Sequence, residues 1–220
     1  MLTEFFMDSN VPRLELQDSI ATAMQLISNL NFTHYPVVSD DKYAGLVSMD
    51  SLMAQTDQQL PVESLKAHFL QIQVRDNLHF LNAVKIITQF ETNALPVVNE
   101  VGELSGVITS STLMKALANF SGANETGGVV VLEMDKIQFS ISEISRIVES
   151  DDCTILHLNS NTNPLTGKLS VTLHVNKKEI HAIVATFRRY QYDVVYQYGD
   201  ELIAEEINNN YQNLMNYLYI

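Results

Sequence analysis

A chain of 220 residues is long enough for one large domain or two compact ones. Its 26 acidic and 13 basic residues give a net charge of −13, which disfavours nucleic acid and anionic membranes as partners because both are bound through clustered Lys and Arg. The single cysteine excludes an internal disulfide framework and favours a reducing compartment.

The first residues, MLTEFFMDSN, carry neither a positive segment nor an apolar run, so no signal peptide is expected. No stretch of the sequence approaches the roughly 18–20 consecutive apolar residues of a membrane span. We therefore expect a cytoplasmic protein with no membrane partner.

Two segments of the first half repeat each other. Residues 34–53 read HYPVVSDDKYAGLVSMDSLM, and residues 94–114 read ALPVVNEVGELSGVITSSTLM. Pro36 corresponds to Pro96, which lies 60 residues later, and Gly45 corresponds to Gly106, which lies 61 residues later. Because a repeat at this spacing marks a duplicated structural unit, we predict two copies of one fold element.

Each copy predicts the same order of elements. An extended piece (13–16 or 70–74) precedes an Asp18 or Asp76 helix cap, and a helix, two short strands and a second short helix (50–53 or 111–117) follow. The first helix of each copy has apolar residues at helical spacing, namely Ile20, Ala23, Met24 and Ile27, or Val84, Ile87 and Phe90. Ser48 and Thr109 are predicted to cap the closing helices.

This order, with its Pro-Val-Val strands and its Gly-Leu-Val-Ser and Gly-Val-Ile-Thr strands, resembles the CBS motif. The first motif covers about 8–56 and the second about 61–118, within a pair at 1–120. The resemblance implies that the two motifs pack into one disc-shaped module that also forms a homodimer.

Residues 121–128, SGANETGG, are predicted to form a linker. After it the pattern predicts a short buried strand (129–134), a helix (140–148) with a Ser140–Glu143 capping box, strands at 153–161 and 168–175, a helix at 176–190 capped by Asn176 with Glu179, and a strand at 193–198. This β-α-β-β-α-β order is ferredoxin-like, and the region 129–199 resembles an ACT domain. The layout is similar to that of CBS–ACT proteins of the bacterial acetoin-utilisation type.

The predicted fold class is therefore α/β and α+β: a CBS pair, a ferredoxin-like ACT-like domain and a C-terminal helix. That helix (200–220) carries an apolar stripe at Ile203, Ile207, Tyr211, Leu214 and Leu218. Because so short a helix is marginal alone, we expect it to dock on its own protein or on a partner.

The CBS resemblance implies an adenosine ligand (AMP, ADP, ATP, NAD or S-adenosylmethionine) in clefts between the motifs. In the family pattern G-h-h-[ST]-x-x-D the hydroxyl contacts phosphate or ribose and the Asp binds the ribose. Ser48 and Thr109 match the hydroxyl, but Ser51 and Thr112 replace the Asp. Asp50 lies about 100° away around a helix and is a poor substitute.

The same resemblance implies that the backbone near Tyr35 and Pro36, and near Leu95 and Pro96, contacts the adenine. A phosphate would also need positive partners, and Arg13 and Arg75 stand near the first strand of each copy, where either could reach one. Simple alternatives stay open. Ser48 and Thr109 can serve only as helix caps, and Pro36 and Pro96 can simply start an edge-like strand.

The second half offers three weaker candidates. The ACT resemblance points to the loop 135–139, where Asp135 could hold an amino group or be a solvated acid. A hairpin loop at 164–167 would place His157 opposite His174, either as two metal ligands without an evident third or as half-exposed polar residues. Cys153 is interpreted as a small core residue.

No nucleotide-binding loop, hydrolase elbow or zinc motif is present in the sequence, so we expect no catalytic residues, no metal and no required cofactor. The resulting prediction is a regulatory protein, not an enzyme, that senses an adenosine nucleotide and binds a small molecule at its ACT-like domain. The alternative is a dimeric scaffold whose CBS pair has lost nucleotide binding.

Overall fold

The computed structural model describes residues 1–199, and the chain divides into two compact units, Met1–Leu117 and Ala118–Ile220. The predicted amphipathic helix at 200–220 lies outside the described residues. Within residues 1–199, no helix combines the length and apolar character that crossing a membrane requires.

The first unit contains the two predicted copies. Their elements are β1 (Leu14–Glu15), α1 (Ile20–Ile27), β2 (His34–Ser39), β3 (Lys42–Ser48) and α2 (Met49–Met53), then β4 (Val74–Arg75), α3 (Leu81–Phe90), β5 (Ala94–Val98), β6 (Leu104–Thr109) and α4 (Ser110–Phe120). Two 3₁₀ segments lie at Thr3–Phe6 and Val62–His68. The order of elements predicted for each copy is therefore present twice.

Each copy forms a three-stranded sheet, β1-β2-β3 or β4-β5-β6. Val37 pairs with Gly45 and Val97 with Gly106, and both ladders shift register immediately afterwards. The prolines do not start an edge-like strand, because each is the third residue of a central strand. A proline is tolerated there since the parallel partner strands pair only from Val37 and Val97 onward.

The predicted aspartate caps are wrong. Ser19 caps α1 by accepting the N–H of Thr22, while Asp18 accepts the N–H of Glu15 in the preceding turn. In the second copy Asp76 lies well before α3, which begins at Leu81 after Phe80 without a side-chain cap. Acidic residues near helix starts serve turns as readily as caps, so the sequence could not distinguish the two roles.

The segment that precedes each copy packs on the other copy. The N–H of Thr3 donates to the carbonyl of Leu78, and the N–H of Val62 donates to the corresponding carbonyl of Asp18. These segments also pass close to the repeated glycines. A Cβ on Gly106 would lie 2.8 Å from the backbone oxygen of Asp8, and one on Gly45, whose φ is +141°, would lie 2.9 Å from Cβ of Phe69. Close approach therefore accounts for glycine at both positions.

Two separate apolar clusters stabilise the first unit. One surrounds Tyr35 and Ile20 in the first copy, and the other surrounds Leu95 and Phe80 in the second, all with no exposed surface. Burial of such side chains contributes roughly 1.5–3 kcal/mol each. Each copy therefore has its own core.

The second unit has the predicted β-α-β-β-α-β order, with β7 (Gly128–Met134), α5 (Ile141–Glu149), β8 (Ile155–Thr162), β9 (Leu169–Val175), α6 (His181–Arg189) and β10 (Asp193–Tyr198). The strands form one antiparallel sheet in the order β10-β7-β9-β8. The helices and one sheet face enclose a core that includes Val130, Ile144, Leu173 and Phe187.

Three local predictions for this unit need correction. Strand β7 is buried on alternate residues and is not fully buried. Helix α6 begins at His181 and not at Asn176. The side chain of Asn176 accepts the N–H of Thr154 and does not cap the helix. Ser140 does cap α5, but the Glu143 carboxylate accepts from Tyr192 and no reciprocal capping bond forms.

Candidate functional site

The closing helix of the first copy starts at the predicted ligand hydroxyl. The Oγ of Ser48 accepts the N–H of Ser51 at 3.0 Å, and its own hydroxyl donates to Oγ of Ser51 at 2.7 Å. The cap forms because Ser48 leaves β3 in an extended conformation, which aims its side chain at the open helix end. Ser51 therefore uses both its backbone and its side chain on the cap.

The second copy repeats this arrangement. Oγ1 of Thr109 accepts the N–H of Thr112 at 3.2 Å, and the two hydroxyl oxygens lie 3.0 Å apart. A further hydroxyl, Oγ of Ser111, lies 2.8 Å from Thr109. Both capping predictions are confirmed, and both helix starts present paired neutral hydroxyls where the family pattern has an aspartate.

The start of α2 carries a negative charge that the start of α4 lacks. Asp50 follows the cap in the first copy, whereas the corresponding residue of the second copy is Ser111. His34, opposite Ser48 across β2 and β3, has its pKa lowered because burial disfavours the imidazolium, although the Asp50 carboxylate raises it in part. Nδ1 of His34 lies 2.9 Å from Oγ1 of Thr33.

Four of the predicted contact residues have buried side chains. Tyr35, Pro36, Leu95 and Pro96 lie inside their strands, and Tyr35 and Leu95 belong to the two cores. The Tyr35 hydroxyl is satisfied, since it donates to the carbonyl of Leu30 at 2.8 Å. Burial raises the pKa of this hydroxyl. A ligand beside these strands would meet their backbone.

Arg13 lines a cleft of about 330 Å³ in the first unit. One wall is formed by Ser9, Val11 and Pro12, and the other by residues 104–107 on β6. Nη2 of Arg13 lies 2.9 Å from Oδ1 of Asp41, and both side chains are largely exposed. The cleft therefore lies between the segment that precedes β1 in the first copy and β6 in the second.

Arg75 occupies the position in the second copy that follows the start of β4. Its backbone carbonyl accepts the hydroxyl of the buried Thr3, which also donates to the carbonyl of Asp76 at 2.7 Å. The residue itself is exposed, and no ion pair is formed by its guanidinium among residues 1–199. Arg75 therefore corresponds to Glu15 of the first copy, whereas Arg13 lies one residue before β1, so the two arginines are not at equivalent positions.

A polar junction that was not predicted from the sequence links the two copies. Oδ1 of Asn93 accepts the N–H of Thr33 at 2.8 Å, and Nδ2 of Asn93 donates to the carbonyl of Asn31 at 2.8 Å. The carbonyls of Thr33 and Asn93 in turn accept the first N–H groups of α2 and α4. Thr33 and Asn93 are 60 residues apart, so the repeat spacing was the available signal.

The remaining candidate residues of the second unit lie in the loop after β7 and on the paired strands β8 and β9. The loop after β7 contains a 3₁₀ turn at Lys136–Gln138, in which the N–H of Asp135 donates to Oε1 of Gln138. The predicted pairing of His157 with His174 is confirmed. The ring of Phe120 lies edge-on to His157 at 5.7 Å. Within residues 1–199, no three His, Cys, Asp or Glu side chains gather closely enough to share a metal ion.

Cys153 lies in the core of the second unit, as predicted, with 4% of its surface exposed. Burial raises the pKa of its thiol, although nearby Lys177 opposes this in part. A buried thiol with a raised pKa carries little thiolate at neutral pH and is a weak nucleophile.

Residues 2–55 and 72–119 match the model of the CBS domain family. A UPF0053 protein of Buchnera aphidicola subsp. Schizaphis graminum is 22% identical over 169 residues, which are 70% of this chain and 32% of that protein. The chain thus spans about a third of the length of this curated relative.

Among solved structures, a CBS domain pair/ACT domain protein from Thermotoga maritima is 17% identical, with a TM-score of 0.51 over 55% of this chain and 98% of that chain. The structure of CBSX2 in complex with AMP is 23% identical, with a TM-score of 0.46 over 54% of this chain and 97% of that chain. At these identities the first likeness shows a shared fold. The first half of the chain therefore carries two CBS domains in tandem.

Proposed function

We propose that the protein is a regulator that senses an adenine nucleotide through its CBS pair. CBS domains commonly bind adenosine nucleotides, and proteins built on CBS pairs are generally regulatory. The cleft beside Arg13 is the observation that carries the proposal, because its volume of about 330 Å³ lies within the roughly 300–1,000 Å³ typical of small-molecule sites.

Arg13 is suited to hold a phosphate at this cleft. A guanidinium presents a planar pair of N–H donors that matches phosphate oxygens. Its present partner, Asp41, is an exposed carboxylate, and exposed ion pairs contribute only about 0–1 kcal/mol. A doubly charged phosphate would therefore displace Asp41 at little cost, and this exchange would couple nucleotide binding to the β2–β3 turn.

A sensor also needs two states with different affinities for the ligand. The cleft is formed by residues of both copies, so a bound nucleotide would favour arrangements in which β1 and β6 stay close together.

We further propose that the protein is a homodimer and that the second unit resembles an ACT domain with a small-molecule site near Asp135. The element order of that unit supports the comparison, and CBS pairs commonly dimerise.

Thermal shift with AMP, ATP, NAD, S-adenosylmethionine and amino acids tests the proposal. A ligand at 100 times its Kd adds about 2.7 kcal/mol to the native state, which raises Tm by several degrees in a chain of this size. We expect at least one adenine compound to raise Tm and Arg13→Gln to reduce the shift. Lys66→Gln removes an exposed charge outside the cleft and should leave it unchanged. A flat response across the panel would refute nucleotide sensing.

The second candidate function is a dimeric scaffold without a nucleotide. The paired hydroxyls favour it, because Ser51 and Thr112 are engaged with their caps and supply no carboxylate for a ribose. This reading predicts a dimer mass by light scattering at micromolar concentration together with no thermal response to any nucleotide. A monomer mass would contradict the homodimer in both readings.

A further inference from the structure

A groove between α5 and α6 of the second unit is lined by two arginines. Its volume is about 270 Å³, and its lining residues are Arg146, Ile147 and Ser150 on one side and Thr186, Arg189 and Tyr190 on the other. The groove is separate from the loop at 135–139, where the ACT resemblance places a ligand. The groove also shares no lining residue with the cleft beside Arg13 that is proposed to bind the nucleotide.

The two guanidinium groups are gathered around one aromatic ring. The Cζ of Arg146 lies 5.9 Å from the ring centroid of Tyr190, and the Cζ of Arg189 lies 6.0 Å from the same point. Cation–π attraction places each guanidinium near the groove. Both arginines line the same groove, so their like charges repel each other, and a bound anion would reduce that repulsion.

Protein carboxylates neutralise this pair only weakly. The nearest one to Arg146 is Glu143, whose Oε1 lies 3.6 Å from Nη2, while its Oε2 is held by the Tyr192 hydroxyl at 2.7 Å. Arg189 contacts Oγ1 of Thr186 at 3.5 Å, and within residues 1–199 it forms no ion pair. The net charge of −13 makes two under-neutralised arginines in one groove a marked local exception.

We propose that this groove binds a small phosphorylated metabolite. Guanidinium groups bind phosphate oxygens through paired, charge-assisted hydrogen bonds, and two of them match the charge of a phosphate monoester. The hydroxyl of Thr186, which accepts from Arg189, has a proton to donate to such an anion. The groove is much larger than one phosphate group, so the ligand carries an organic part that contacts the exposed ring of Tyr190.

NMR titration of the full chain with glycerol 3-phosphate tests this site, with the arginine side-chain N–H signals as the readout. We expect saturable shifts at Arg146 and Arg189. Arg146→Gln and Arg189→Gln should each weaken binding about tenfold or more, since each removes a charge-assisted bond. Arg188→Gln is the matched control, because Arg188 points to Gln197 on β10 and not into the groove.

Three results would overturn the proposal. The first is an absence of saturation with glycerol 3-phosphate at millimolar concentration. The second is an equal loss of affinity in Arg188→Gln, which would show a general effect of charge. The third is an equal affinity for inorganic phosphate and glycerol 3-phosphate, which would show that the organic part of the ligand contributes nothing to binding. Circular dichroism melts of each variant show whether the variants remain folded.

Discussion

The two CBS domains of the first unit have the same backbone plan but different chemistry beside their closing helices. In both, a hydroxyl at the end of the third strand caps a helix and pairs with a second hydroxyl three residues later. The first copy places His34 and Asp50 next to that cap, whereas the second places Ala94 and Ser111 there. The backbone fold is therefore the same in both copies, while the polar residues around each helix start differ.

The cores differ in the same way. Tyr35 in the first copy corresponds to Leu95 in the second, and both are fully buried. The tyrosine brings a hydroxyl that must be satisfied by Leu30, while the leucine needs only close packing. Equivalent buried positions therefore hold different side chains when each side chain fills the available volume and its polar atoms form hydrogen bonds.

The largest expected effect comes from opening the core of the second copy. Leu95→Ala should lower the free energy of unfolding by about 2–5 kcal/mol, because it removes buried surface and leaves a cavity. Urea denaturation measures the change. Met114→Ala, at a position that is 67% exposed in the same copy, should cost under about 0.5 kcal/mol. Equal losses for the two variants would contradict the described core.

The repeated glycine gives the next effect. Gly106→Ala should destabilise the protein by about 1–3 kcal/mol, since the new Cβ would meet the backbone of Asp8 at 2.8 Å. Ser105→Ala, one residue earlier on β6, changes a side chain without this clash and should be close to neutral. Thermal melts of both variants provide the measurement, and a neutral Gly106→Ala would show that the N-terminal segment does not pack there.

Restoring the family carboxylate at residue 51 tests whether the first copy contacts a ribose. The family pattern has its aspartate at the position of Ser51, so we expect Ser51→Asp to tighten AMP binding several-fold, because a charged hydrogen bond is stronger than a neutral one by about 1 kcal/mol. Calorimetric titration measures the affinity. Ser51→Asn matches the shape without the charge and should leave the affinity near the wild-type value. Equal affinities in all three proteins would remove residue 51 from the site.

The smallest effect concerns pH and belongs to the first copy alone. The pKa of His34 is lowered from its ordinary value of 6.5, so the folded state favours the neutral ring. The stability that this residue contributes is present above pH 6.5 and is lost as the pH falls through the lowered pKa. His34→Ala, which copies Ala94, should make the unfolding free energy less dependent on pH in that range. An unchanged slope between wild type and variant would contradict the burial of His34.

The order of strands and turns could be predicted from the sequence, because Pro36, Gly45 and their repeats mark the two strands of each copy and the turn between them. The close approach at the glycines could not, since it depends on how the N-terminal segments of the copies pack. The helix starts at Ser19 and Leu81 could not, since Asp18 and Asp76 are equally good cap residues until the preceding turn is known. The Thr33–Asn93 hydrogen bond was not predicted, because the spacing of 60 residues makes the two positions equivalent but does not show how the copies pack.

The site was predicted less completely than the fold. Sequence spacing identified Ser48 and Thr109 as caps and placed His157 opposite His174. It could not indicate that Ser51 and Thr112 would pair with those caps, or that Asp41 would hold Arg13, since both contacts depend on side-chain geometry. The ligand contacts at Arg13, Arg75 and the four strand residues stay predictions.

The proposed function requires that an adenine nucleotide binds between the two copies of the CBS pair. An NMR titration of the isotope-labelled full chain with AMP tests it most directly. A nucleotide bound in the cleft should cause saturable shifts at Arg13 and at the backbone amides of 104–107, which line the cleft. Shifts confined to other surfaces, or none up to millimolar AMP, ATP, NAD and S-adenosylmethionine, would contradict it.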